Sequence, residues 1–243
     1  MVQERAERTR RAMVHAAAEE IDRGGYHGAS LASISRSAGM SMGALTFHFP
    51  TKDRLVEAVQ ALSVSMVRET VEAVEAVEAV EAVDAAGSVA GADAVDAPAG
   101  TDFPAGTDSV AGAASVRAPS LGRARELILA ISRLLAGEPV VRAAVRLGWE
   151  RPSREDWTAS WLPRVGELLV QAHADGELRQ DADPETVTAL AAGLVQGLHC
   201  RMGAGADAHE SLGQLTRILD VILRSLSAPG PGGPDTPRSS PGN

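Results

Sequence analysis

Gly39-Met40-Ser41-Met42-Gly43-Ala44-Leu45-Thr46-Phe47-His48-Phe49 is the stretch on which the reading of the whole chain turns. It follows an apolar pattern at Leu31, Ile34 and Ala38, one face of a helix over about 31–38. A glycine at position 39 can take the left-handed conformation that ends such a helix. Ser41 then sits where an N-cap belongs, with Ala44, Leu45 and Phe49 able to face inward. Met42, Gly43 and Thr46 are left pointing outward from a very short second helix. Two short helices about a glycine turn, the second presenting small or polar groups, suit insertion into a DNA groove.

Upstream, Arg8, Arg10 and Arg11 lead into a helix with Met13, Ala16, Ala17 and Ile21 on one stripe, closed by Gly24-Gly25. Residues 1–7 read as a frayed, charged arm, and Tyr26 as a packing residue of the turn. Ser30 is an N-cap for the second helix. Downstream, Thr51 caps a further helix whose first turn carries Asp53, where the helix dipole favours negative charge. That helix passes through Leu55, Val59 and Leu62 into tandem Val-Glu-Ala triplets from Val71 to Ala85. At about 100° per residue the valines of a three-residue repeat advance roughly 300° per step. They spiral around the axis, so a solvated helix fraying towards Ala86-Gly87 is expected.

The net charge of −9 is unevenly spread. Residues 1–60 hold eight basic and seven acidic residues, 61–119 hold two and ten, and 120–243 hold thirteen and fifteen. The acidity is therefore concentrated in the middle, and the N-terminal part is free of the field that would repel a polyanion. Residues 87–119 are rich in Ala, Gly, Asp, Ser, Thr and Pro and cannot bury enough surface to offset chain entropy. Amphipathic helices resume at Ser120: about 121–136, a second opened by Gly137-Glu138-Pro139, a third capped by Ser160 and ending at Gly176, then 184–202 behind the Asp183-Pro184 start signal, and 208–226. Trp149 belongs to the second of these patterns, with Val140, Val141, Ala144 and Val145, and Trp157 falls in the polar stretch 150–160. From Pro229 the tail is rich in Pro, Gly and Ser.

No strand pattern appears, and the expected fold is all-α. Its parts are a three-helix helix-turn-helix domain (1–60), a connecting helix (61–83), an acidic disordered insertion (84–119), a helical domain (120–228) and a disordered tail (229–243). The single cysteine, Cys200, excludes an intramolecular disulfide and a Cys-based zinc site, and reads as a small buried hydrophobe. No apolar run of about 18 residues is present to span a bilayer, so no membrane partner and a cytoplasmic, nucleoid-associated location are expected. The six histidines form no catalytic set with Ser or Asp. No phosphate loop or metal spacing occurs, so neither an enzyme nor a cofactor is expected.

At this point the chain resembles the TetR family of one-component repressors. The resemblance is carried over residues 8–60 by Gly24-Gly25-Tyr26, Ala29-Ser30-Leu31, Ala38-Gly39-Met40-Ser41, Gly43-Ala44-Leu45 and Phe47-His48-Phe49-Pro50-Thr51-Lys52. Phe47-His48-Phe49 is most similar to the γ-butyrolactone receptor branch, which controls antibiotic production in filamentous bacteria. Less sharp agreement extends to Glu138-Pro139-Val140-Val141-Arg142 and Gly176-Glu177-Leu178-Arg179. The resemblance implies a homodimer on a double-stranded DNA operator, with Ser30, Ser41, Met42, Gly43, Thr46, His48 and Lys52 facing the DNA. Ser41, His48 and Lys52 would chiefly bind phosphate, which positions without specifying sequence. Relatives usually carry tyrosine at the place of Thr46 and often a basic residue at Met42, so weaker, less salt-dependent binding is expected.

The resemblance also implies a C-terminal ligand-binding and dimerisation domain that takes a small hydrophobic signalling molecule. Trp161 is the leading ligand contact, joined by Trp157, Trp149, Ile131, Val145 and His199. His199 stands where relatives often have glutamine, and either group can hydrogen-bond a ligand carbonyl or hydroxyl. The ligand is a γ-butyrolactone or, in a pseudo-receptor, an antibiotic. A different reading makes the acidic middle segment a recruiter of a protein partner.

Overall fold

A computed structural model of the protein describes residues 2–90, 119–151 and 157–228, with side chains from residue 4 and not over 78–90. Among the described residues the chain is all-helical apart from one 3₁₀ turn and an isolated antiparallel bridge between Leu178 and Ser227. Helices α1 (Val2–Gly28), α2 (Leu31–Ser37) and α3 (Met42–His48) form a small head. Helix α4 (Lys52–Ala90) leaves it, and α5 (Ser120–Gly137), α6 (Pro139–Glu150), α7 (Leu162–Ala174), α8 (Pro184–Gly203) and α9 (Ala208–Leu226) build a second layer of helix on helix.

Several boundaries differ from the sequence reading. Residues 1–7, expected as a frayed arm, are helical from Val2, with Glu4 in the first turn and an Arg11–Glu7 pair of i,i+4 spacing at 3.4 Å. Helix α4 passes the expected fraying point and continues to Ala90, so residues 84–90 of the expected insertion are helix. At 1.5 Å per residue its 39 residues span roughly 58 Å. Along the first triplets Val71 is half-buried against the second core and Val77 is exposed, the drift that a three-residue period imposes on a helix. The rest of the expected insertion (91–118) and the tail from 229 lie outside the described residues. Ser160 does not cap α7. Its hydroxyl donates to the Trp157 carbonyl and closes the 3₁₀ turn, leaving Trp161 as the capping residue without a side-chain bond.

Long-range contacts supply caps that local sequence does not. The N-cap of α5 is Pro119, which has no side-chain acceptor. The Glu177 carboxylate takes its place, accepting the N–H groups of Ser120 and Leu121 at 2.8 Å each. A negative charge at a helix N-terminus satisfies both the orphan donors and the dipole.

Two apolar cores result. The first joins Met13, Ala17, Ile21, Ile34, Leu45, Phe49, Leu55 and Val59. The second joins α4, α5, α7, α8 and α9 around Ile131, Leu135, Trp161, Val165, Leu169 and Val195. Helix α6 belongs to both. Val140, Ala143 and Leu147 lie in the first core, and Val141 and Val145 lie in the second. With three- and four-residue spacings, one helix presents two apolar stripes to two different bodies.

Candidate nucleic-acid interface and regulatory core

The head is organised by hydroxyl caps. Ser30 and Ser33 form a reciprocal capping box at the start of α2, each backbone N–H reaching the other hydroxyl at 3.0 Å. Helix α2 ends in a turn where Gly39 takes φ 64°, the left-handed geometry the sequence requires. The buried Ser35 hydroxyl donates to the Met40 carbonyl at 2.5 Å and holds that turn shut. Ser41 then accepts the N–H of Ala44 at 3.2 Å and starts α3. Leu45 and Phe49 anchor α3 in the first core, and Arg10 of α1 lies over the Phe49 ring at 5.0 Å.

The outward face of α3 carries Met42, Gly43 and Thr46, as expected, and also Phe47. Phe47 is 83% exposed and Met42 41%. Phe47 follows Gly43 by four residues, so helical spacing alone placed it on this face. His48 is half-buried and meets the Phe47 ring edge-on at 5.4 Å. Thr46 is exposed, but its hydroxyl donates back to the carbonyls of Met42 (3.0 Å) and Gly43 (3.3 Å).

Lys52 departs from its expected role. Its ammonium is turned onto the Tyr26 carbonyl and lies 3.9 Å from the centre of the Tyr26 ring, rather than reaching out for phosphate. Burial there pushes its pKa below the ordinary lysine value. Around it is a polar cluster that sequence reasoning did not find. Gly25 takes φ 71°, ψ −179° and breaks α1, which frees the Tyr26 N–H to reach Glu150 of α6 at 2.6 Å. The Tyr26 hydroxyl donates to Asp53 at 2.8 Å, and Arg151 pairs with Asp53 while its guanidinium lies 4.3 Å from the Tyr26 ring centre. The bonds from Arg151 and then Tyr26 hold the Asp53 carboxyl below its ordinary value.

Two arginines of α6 complete the clamp. Arg142 bonds the Asp22 carboxylate at 2.8 Å and the Ala136 carbonyl at 2.8 Å. Arg146 donates to the Asp22 carbonyl at 2.9 Å, a group at the broken end of α1 that lacks its helical partner, and to Glu150 at 2.9 Å.

The six expected ligand residues divide between two places. Trp161, Trp157, Ile131 and Val145 lie together in the second core, with the two indoles 5.6 Å apart and Trp161 only 1% exposed. The Trp161 Nε1–H is buried without a hydrogen-bond partner. Trp149 and His199 do not join them. Trp149 ends α6, is 67% exposed, and lines a cavity of about 1000 Å³ between α1, α6 and α8 together with His199, Arg142, Arg146 and Asp22. Their separation follows from helix geometry. Trp149 lies two residues beyond Leu147 and four beyond Val145, at the solvent end of α6, and His199 is on the side of α8 that faces α1. His199 is half-buried with Nδ1 unpartnered, and burial lowers its pKa. Cys200, expected to be buried, is exposed on the same helix.

These elements define a helix-turn-helix head joined by α6 to a second, helical body. Residues 13–59 match the family described as bacterial regulatory proteins, tetR family, and the chain carries a TetR-family N-terminal domain. Over 77 residues, 30% of this chain, it is 32% identical to the HTH-type transcriptional regulator UidR of Escherichia coli K12, and it covers 39% of that relative's length. The fold as a whole resembles a gamma-butyrolactone receptor described as an ArpA like protein (22% identity, TM-score 0.62, covering 93% of this chain and 91% of that one). It also resembles CprB, a TetR family protein of Streptomyces coelicolor solved with its operator sequence (24% identity, TM-score 0.61, covering 93% and 91%).

Proposed function

We propose that the protein is a homodimeric, ligand-responsive transcriptional repressor of the γ-butyrolactone receptor type, acting in the cytoplasm on genes of antibiotic or other secondary metabolism. The observation that carries this reading is α6, whose two apolar stripes belong to the DNA-reading head and to the core around Trp161. A ligand entering the second core cannot move Val141 and Val145 without moving Val140, Ala143 and Leu147. Residues 1–60 would hold the operator, 61–83 connect, and 120–228 take ligand and partner subunit. Met42, Gly43 and Thr46 face the major groove, with Ser30, Ser41 and His48 at its edges. Lys52 joins them only by leaving Tyr26.

The unpartnered Nε1–H of Trp161 supports an effector with an acceptor oxygen in that core, since a buried orphan donor costs about 1–3 kcal/mol. Dimerisation through α8 and α9 is supported by exposed Leu190, Ile218 and Val221 on those helices. Binding of full-length protein to duplexes from upstream of its own and neighbouring genes, followed by release with a γ-butyrolactone, tests the reading. Protection of no site, or release by no compound, would remove it.

A pseudo-receptor answering to antibiotics is favoured by a separate observation. The open cavity at α1, α6 and α8 offers three arginines, three carboxylates and the exposed Trp149, a lining suited to a larger amphiphilic molecule. Release by antibiotics and not by butyrolactones selects this alternative. Deleting residues 84–119 tests the recruiter reading: the repressor reading predicts DNA binding retained or strengthened, the recruiter reading predicts loss of function.

A further inference from the structure

We propose that α3 reads operator DNA through thymine 5-methyl groups, contacted by Phe47 and Met42, and not through hydrogen bonds to base edges. The inference rests on the DNA-binding reading above. The outward face consists of Met42, Gly43, Thr46 and Phe47. Gly43 has no side chain. The Thr46 hydroxyl, the sole hydrogen-bonding side chain of the four, spends its proton on the Met42 and Gly43 carbonyls. The side chains that pair bidentately with guanine or adenine are Arg, Lys, Asn and Gln, and α3 contains none of them. His48, the remaining polar side chain of α3, is half-buried against Phe47 at the helix end.

What the face does offer is apolar area. Phe47 has the highest fractional exposure of any large apolar side chain among the described residues. It projects from a helix held rigidly from behind by Leu45 and Phe49. In the major groove the apolar feature that distinguishes one base pair from another is the thymine methyl group. A face whose side chains offer no free donor, and as acceptor only the Thr46 hydroxyl oxygen, draws its sequence information chiefly from that methyl group and from groove shape.

The test uses the full chain and changes the DNA first. Duplexes selected from a random pool give the preferred half-site, and each thymine in it is then replaced by deoxyuridine, which deletes one methyl group and leaves every hydrogen bond intact. Native protein should lose about fourfold in affinity per contacted methyl, the transfer value of one CH₂ group, at one or two positions per half-site. Phe47→Ala should bind the same duplex more weakly and no longer distinguish thymine from uracil at the position Phe47 contacts. Because Phe47 is almost fully exposed, the variant retains its core.

Equal binding of native protein to thymine and uracil duplexes at every position would overturn the inference. So would full discrimination retained by both F47A and M42A. If native protein selects no duplex at all, the DNA-binding reading falls and this inference with it, an outcome distinguishable from methyl-blind binding.

Discussion

Gly25→Ala tests the clamp between the head and the second helical body in its most sensitive place. Gly25 sits at φ 71°, ψ −179°, a region open in practice only to glycine, where another residue costs about 1–3 kcal/mol. A Cβ built there would lie 2.3 Å from Glu150 Oε1 and 2.9 Å from an Arg146 guanidinium nitrogen. Glu150 cannot retreat freely, because it accepts from the Tyr26 N–H at 2.6 Å and from Arg146 at 2.9 Å. Losing a charged hydrogen bond to a backbone N–H adds about 1–2 kcal/mol, reduced here because Glu150 is partly exposed. The total is about 3 kcal/mol, which for a chain of this size lowers Tm by roughly 6–12 °C. Calorimetry on native protein, G25A, E150A and the double variant separates the parts. With Glu150 truncated the closest clash is gone and only the flexible Arg146 guanidinium must yield, so G25A should then cost little beyond its backbone strain. A Tm within about 2 °C of native for G25A, or full additivity in the cycle, would refute the geometry on which the clamp is argued.

Three further outcomes are expected. Trp161→Phe should leave stability within about 1 kcal/mol, because removing an unpartnered buried N–H offsets lost packing, whereas Trp161→Ala should cost about 3–5 kcal/mol; equal Tm losses in urea-free melts would contradict this. Burial holds the His199 pKa below its ordinary 6.5, so its neutral form is the one the fold favours. Stability from this group is therefore complete above about pH 6.5 and declines as pH falls through the lower folded value, and His199→Gln should flatten the melting profile in that acidic window. Val221→Glu, placed on the exposed apolar face of α9, should shift sedimentation at micromolar concentration from dimer to monomer with little change in helicity; an unaltered dimer would move the interface elsewhere.

Legibility in the sequence followed the range of the interactions. The caps Ser30, Ser41 and Asp183 and the positive φ of Gly39 rest on contacts within about four residues, and each appears where pattern and capping chemistry place it. The Ser160 assignment failed because a neighbouring carbonyl competed for its hydroxyl. The place of the Lys52 ammonium was not legible for a related reason. Its partner Tyr26 is 26 residues away, and only the break at Gly25 brings the two together. The ligand candidates illustrate the same limit. Trp149 and Val145 share α6 four residues apart, yet one ends in solvent beside α1 and the other in the second core, because α6 touches two bodies. Phe47 was within reach of sequence reasoning, as its spacing from Gly43 shows, but the sequence reading puts Met42, Gly43 and Thr46 on the outward face and assigns Phe47 to neither face.

The two halves of α6 also bound how strong a proposed ligand response can be. A ligand shifts a two-state equilibrium only by its difference in affinity for the two states, and a hundredfold difference supplies about 2.7 kcal/mol. The contacts that hold α6 to the head are Glu150 on the Tyr26 N–H, Arg146 on the Asp22 carbonyl and Arg142 on the Asp22 carboxylate. Each is partly exposed, and each is worth on the order of 1 kcal/mol. Their sum is therefore of the size one effector can overcome. The apolar contacts of Val140, Ala143 and Leu147, all fully buried, are not. An effector seated by Trp161 would then slide or tilt α6 against the head while leaving it attached. The sensitive joint is the polar end at Glu150 and Arg151, which reaches both the end of α1 and the first turn of α4 through Tyr26 and Asp53. Because those two segments flank α2 and α3 in sequence, loosening that joint under the proposed response would re-aim the head without unfolding it.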